Sequence, residues 1–146
     1  MPLTLAEYEQ LVYGLPDTVS AIRYSTLTVV RLEPPTAIVK GEVYFEGDVF
    51  LRALQVLDFE EGFIQRYSYE VYRGEDKLYW YDSWPHPHIP ELSSTDPHHK
   101  HVPPDIKHNR VLAPHLSFDR PNLPFVIQEI IDTLLAGEGD QSQTSQ

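Results

Sequence analysis

Nine of the chain's 13 prolines fall between residues 83 and 124. Each proline fixes its own φ near about −65° and removes a backbone donor. Each also biases the residue before it toward extended backbone. Neither a regular helix nor a central strand is expected across such a stretch. An irregular segment of about forty residues is long for a compact domain, and such loops are commonly functional or disordered. This one carries Trp84, Ile89, Leu92, Val111, Leu112 and Leu116 as apolar anchors. An ordered Pro/His-rich loop is therefore expected over 83–121, laid along a sheet.

The flanking sequence is regular. In "TLAEYEQLVYGL", Thr4 and Glu7 have capping-box spacing, and Leu5, Tyr8, Leu11 and Val12 recur at helical intervals. Gly14 and Pro16 are expected to stop this helix. Residues 19–33 are rich in β-branched and aromatic side chains, as a strand should be. Three further strands are expected in "AIVKGEVYFEG", "DVFLRALQVLDF" and "GFIQRYSYEVYRG", and another in "EDKLYWYD". In "FIQRYSYEV", Phe63, Tyr67, Tyr69 and Val71 share one face and a mostly polar set shares the other. That alternation with one wet face is the mark of an antiparallel sheet. "RPNLPFVIQEIIDTLLAG" reads as a last helix, with Asn122 as its cap and Gly137 as its end.

The expected fold is α+β. A twisted antiparallel sheet of about five strands is joined by N- and C-terminal helices and the long Pro/His-rich loop. One domain is expected over 1–137, with a disordered polar tail over 138–146.

The formal charge is −11, which argues against non-specific nucleic-acid binding by the whole surface. The charge is uneven. Residues 83–124 carry four acids, four Lys or Arg, and all seven histidines. There is no cysteine, so thiolate metal sites and disulfides are excluded. No apolar run reaches the roughly 18 residues that a membrane span requires. A soluble cytoplasmic protein without membrane association is expected.

The stretch "YSYEVYRGEDKLYWYDSWPHPHIPELSSTDPHHKH" resembles the C-terminal half of the TumE-like bacterial toxins. A strand ending in Tyr81-Asp82, a proline- and histidine-rich turn and a Pro-His-His-Lys-His element carry the resemblance. It is close over 67–101 and looser over the strands before. It implies the toxin of a type II toxin–antitoxin pair, with a cognate antitoxin protein as partner and RNA as the target. The family pattern often has an acid in the strand where this chain has Gln55, a departure that bears on activity.

Metal-free RNA cleavage needs a base for the 2′-hydroxyl, an acid for the leaving oxygen and a cation for the phosphorane. Histidine serves both proton roles because its reference pKa is about 6.5. His98, His99, Lys100 and His101 supply every required type, and Asp82 is placed to orient an imidazole. Tyr81, Arg66 and Trp84, together with His86 and His88, are the expected substrate contacts. An extended backbone puts His99 and His101 on one side and His98 and Lys100 on the other. A helical turn instead pairs His98 with His101, and that pair is the favoured acid–base couple.

No cofactor is expected. A divalent metal on the histidine cluster, with Asp82 or Asp96, is the alternative, although no fixed ligand spacing such as HExxH is present. A non-enzymatic interaction protein, or an inactive relative of the toxins, is a further alternative.

Overall fold

A computed structural model describes residues 3–61, 63–83, 98–105 and 109–135. Helix α1 spans Leu5–Thr18. The Thr4 hydroxyl accepts from the Glu7 N–H at 3.1 Å, and the Glu7 carboxylate accepts from the Thr4 N–H at 2.9 Å. The expected stop at Gly14 and Pro16 comes too early. Pro16 sits in the last turn, where its missing donor costs a single hydrogen bond, and the Val19 N–H still reaches the Leu15 carbonyl.

Eight strands follow: β1 Tyr24–Ser25, β2 Thr28–Arg31, β3 Thr36–Tyr44, β4 Val49–Asp58, β5 Ile64–Arg73, β6 Asp76–Asp82, β7 His99–His101 and β8 Arg110–Leu112. They form one antiparallel sheet in the order β1-β3-β4-β5-β6-β7-β8, with β2 also paired to β3. Helix α2 spans Leu123–Ile130 and continues as a π-helical turn over Ile131–Leu135. The fold is α+β.

The stretch expected as one strand over 19–33 is two short ones. The chain between them crosses close over β3 at Gly41, whose φ is +138°. A Cβ there would lie 2.5 Å from the Thr26 carbonyl oxygen, so only glycine permits the crossing. The β3–β4 hairpin turns through Gly47 and Asp48, both at positive φ, as a tight two-residue turn requires.

Both helices lie on one face of the sheet. Tyr8 and Val12 of α1, and Leu123, Ile127 and Ile130 of α2, are buried with Val39, Leu51, Leu57 and Tyr69 of the strands. Burying each such side chain contributes about 1.5–3 kcal/mol. Among the described residues no helix covers the opposite face, where Lys40, Arg52, Leu54 and Arg66 are exposed.

The sheet has more strands than the five expected, because the expected 19–33 strand is split in two and the proline-rich segment supplies β7 and β8. Its prolines bracket these strands instead of occupying them. Pro97 precedes β7, Pro103 and Pro104 follow it, and Pro114 follows β8. Their bias toward extended backbone favours short strands at a sheet margin. The expected loop over 83–121 is thus strand at 99–101 and at 110–112. Residues 84–97 and 106–108, and the expected tail over 138–146, lie outside the described residues. No helix among the described residues is long and apolar enough to cross a membrane.

Candidate active site

Because β7 is extended, its side chains alternate. His99 and His101 face the open side, and Lys100 and the preceding His98 face the helices. The single-turn geometry that would pair His98 with His101 is not the one formed. The two histidines project to opposite sides of the sheet.

On the open side the register sets Asp82 opposite His99 and Trp80 opposite His101. It also sets His101 opposite Arg110 of β8. One Asp82 carboxylate oxygen contacts His99 Nε2, and the other lies 3.4 Å from His101 Nε2. The Trp80 indole N–H donates to that second oxygen at 3.0 Å. Burial alone would raise the Asp82 pKa. Hydrogen bonds from His101, His99 and Trp80 outweigh it and hold the carboxyl far below its ordinary range. Asp82 is a carboxylate at every physiological pH.

Arg110 completes the cluster, with Nη2 2.9 Å from both ring nitrogens of His99. Nε2 of His99 faces the carboxylate and carries the proton there, so Nδ1 is the atom that accepts from the guanidinium. His99 is fully buried between an anion and a cation, while His101 is 5 % exposed and stacks on Trp80 at 3.9 Å.

Donor atoms of Asp82, His99 and His101 lie within 4.8 Å of one another, a two-histidine, one-carboxylate set. Lys100, which the sequence placed between the ligands, points away from them. Arg110 opposes a cation instead. A metal on His99 Nε2 would move the ring proton to Nδ1, against the guanidinium.

On the helix side, His98 Nδ1 lies 2.7 Å from the Tyr67 hydroxyl, and its ring is 4.5 Å from that of Phe118. Burial, then the neighbouring His99, lower its pKa against an opposing pull from Asp119. Lys100 reaches Glu129 of α2 at 3.2 Å and lies over the rings of Tyr79 and Tyr81. The Tyr81 hydroxyl donates to Glu129 at 2.8 Å. Burial, then the Glu129 charge, raise its pKa and keep it a donor. Tyr81 is therefore a core residue 3 % exposed, not a surface for substrate.

Arg66 is exposed on the open side. Trp84, His86, His88 and Asp96 lie outside the described residues. Gln55 is buried on the helix side, accepting from the Tyr8 hydroxyl at 2.6 Å and donating to the Tyr69 hydroxyl at 2.5 Å.

Sequence reasoning missed Arg110 and Glu129. The signal for Glu129 was a lone acid inside the apolar run "FVIQEII". Arg110 left no such mark, since only the β7–β8 register brings it to His99.

A family model described as Toxin TumE matches residues 15–134. The chain belongs to the TumE toxin family. That membership suggests a toxin of a toxin–antitoxin system and implies a cognate antitoxin partner. The matched span contains all of β1 to β8 and the Asp82 cluster. Neither the curated proteins nor the solved structures compared with the chain gave a match.

Proposed function

We propose that this TumE-family chain is a metal-independent endoribonuclease toxin whose chemistry is carried by Asp82, His99, His101 and Arg110. One observation carries the reading: two imidazoles face one carboxylate, and a guanidinium holds the ring of one of them. Asp82 holds the His101 proton at Nε2, which leaves Nδ1 as the base. Nδ1 takes the 2′-hydroxyl proton, the 2′-oxygen–phosphorus bond forms, and Arg110 stabilises the phosphorane. Protonated His101 then returns the proton to the 5′-oxygen as its bond to phosphorus breaks, leaving a 2′,3′-cyclic phosphate. His99 and Asp82 are positioning residues that fix Arg110 and His101.

The test is cleavage of total RNA by purified protein in excess chelator, with His101→Ala and His98→Ala beside the wild type. The reading expects His101→Ala to be inactive and His98→Ala to retain cutting, both with intact circular dichroism. Intact RNA after incubation with well-folded wild type would overturn it. Growth inhibition that survives His101→Ala would point instead to a toxin that works by binding alone. The 4.8 Å donor cluster favours a second reading, a metal-dependent hydrolase. Cutting that is lost in chelator and restored by one divalent ion would put it in place of the first.

A further inference from the structure

The open face of the sheet differs in character from the rest of the chain. Lys40, Arg52, Arg66, Lys77 and Arg110 lie on it by register, against Glu42, Glu70, Asp82 and, at the rim, Asp58. That is nearly half of the 11 Lys and Arg but under a fifth of the 22 acids. Among the described residues, an acidic protein thus presents one face without net negative charge, which is the face that carries the Asp82 cluster.

A row of rings crosses this face perpendicular to the strands. Tyr24 stacks on Tyr44 at 4.4 Å, Tyr44 on Phe50 at 5.4 Å, and Phe50 on Tyr72 at 4.9 Å. Lys77 bridges the Tyr72 and Trp80 rings, and Trp80 stacks on His101. Beside the row lies a shallow depression of about 460 Å³, lined by Lys40, Arg52, Glu42, Thr26, Thr28 and Leu54. Its two cations, Lys40 and the Glu42-paired Arg52, suit a phosphodiester, and the exposed Leu54 suits the face of a base. The outer ring of the row, Tyr24, is 54 % exposed and offers a free face for stacking.

We propose that the open face is a binding track for single-stranded RNA, which crosses the strands from the Lys40–Arg52 depression along the ring row to the Asp82 cluster. This rests on the reading of the Asp82 cluster as a ribonuclease centre, and it names how the substrate reaches that centre. A duplex is too wide and too stiff to use both the depression and the Tyr24 ring, so single strands are the preferred form. Ion pairs of Arg52 with Glu42 and of Lys77 with Glu70 fix the cations in place without removing their remaining donors.

The experiment measures binding of a fluorescent 2′-O-methyl RNA 12-mer, single-stranded or annealed, to full-length protein by anisotropy at several salt concentrations. The 2′-O-methyl group removes the attacking hydroxyl, so binding is read without cutting. Lys40→Glu/Arg52→Glu should weaken single-strand binding at least tenfold and flatten the log Kd against log salt slope by about 1.4, two phosphates at about 0.7 each. Tyr24→Ala should weaken it roughly tenfold with the salt slope unchanged. Folded variants that bind like the wild type would overturn the track, as would equal affinity for duplex. Loss of antitoxin binding with RNA binding intact would assign the face to protein contact and also overturn it. If wild type binds through this face but cuts no RNA, the ribonuclease reading fails and the track stands. If a variant cuts and binds RNA as well as wild type, the track fails and the ribonuclease reading stands.

Discussion

Asp82 and His99 face each other across β6 and β7, and the contact between carboxylate and imidazole joins the margin of the sheet to its centre. The same carboxylate takes the Trp80 N–H and faces His101, so one side chain organises three rings. Asp82→Asn keeps the size but can no longer accept from all three donors as an anion. Hydrogen bonds to charged groups contribute about 1.5–3 kcal/mol each, so a stability loss of about 2 kcal/mol is expected in urea unfolding. RNA cutting should fall by up to about 10²- to 10⁴-fold, because His101, the acid–base group, loses the carboxylate that orients it. A variant that stays folded and cuts at the wild-type rate would remove Asp82 from the chemistry.

Two groups beside β7 should each lower stability as pH falls, in separate ranges. The folded His98 pKa lies below its ordinary 6.5, so below that pH the unfolded chain holds a proton that the folded chain has shed. Its contribution is complete above about 6.5 and is lost as pH falls through the folded value, at up to about 1.36 kcal/mol per pH unit. The folded Asp82 pKa lies below its ordinary 3.8, so its contribution survives to acid pH and is lost only as pH falls further. His98→Gln should flatten the first step and leave the second. Urea midpoints measured from about pH 8 down to about pH 2 follow the first step and the onset of the second, and an unchanged first step would exclude His98 as its source.

Much of the scaffold was legible before any coordinates. The Thr4–Glu7 capping box and the β5 alternation from Arg66 to Val71 are local signals and formed as their chemistry requires, while a register shift beside Gln65 turns Ile64, expected on the polar face, into the core. Strands β7 and β8 were not legible. Proline density argues against regular structure on average, while strand formation at 99–101 depends on where the prolines fall and on a partner, β6, that already exists. The candidate site was half legible for the same reason. Asp82, His99 and His101 stand out by residue type, but which histidines share a side depends on backbone conformation. Asn122 shows the limit of local rules. It was expected to cap α2, yet its side chain pairs with both the backbone N–H and the carbonyl of Ser117 and tethers the preceding loop.

Gln55 was the position that cast doubt on activity, and its surroundings point to folding instead. It is fully buried between the Tyr8 and Tyr69 hydroxyls, on the opposite face of the sheet from Asp82. Gln55→Leu leaves both hydroxyls without their partner and should cost about 2–4 kcal/mol. Gln55→Glu keeps an oxygen for each hydroxyl and should lose less. Neither variant should change RNA cutting per folded molecule. A Gln55→Glu protein with a tenfold altered rate would show that this core position does couple to the chemistry.

Lys100 separates the two sides of the sheet most directly. Chemistry alone made it the natural cation for a phosphorane, but the alternation of β7 turns it to Glu129 and the Tyr79 and Tyr81 rings. Its ammonium is about a quarter exposed and its partner carboxylate less so, which places the pair between a surface and a buried ion pair. Lys100→Met keeps the stem that packs on both rings, and the Tyr81 hydroxyl still donates to Glu129. The expected loss is about 1 kcal/mol, with RNA cutting retained. Arg110→Met, on the open side, should show the reverse balance, with cutting lost while most of the stability remains. Measured together, the two variants assign the phosphorane cation. Loss of cutting in Lys100→Met with retention in Arg110→Met would move the active site to the helix side, around Lys100 and Glu129.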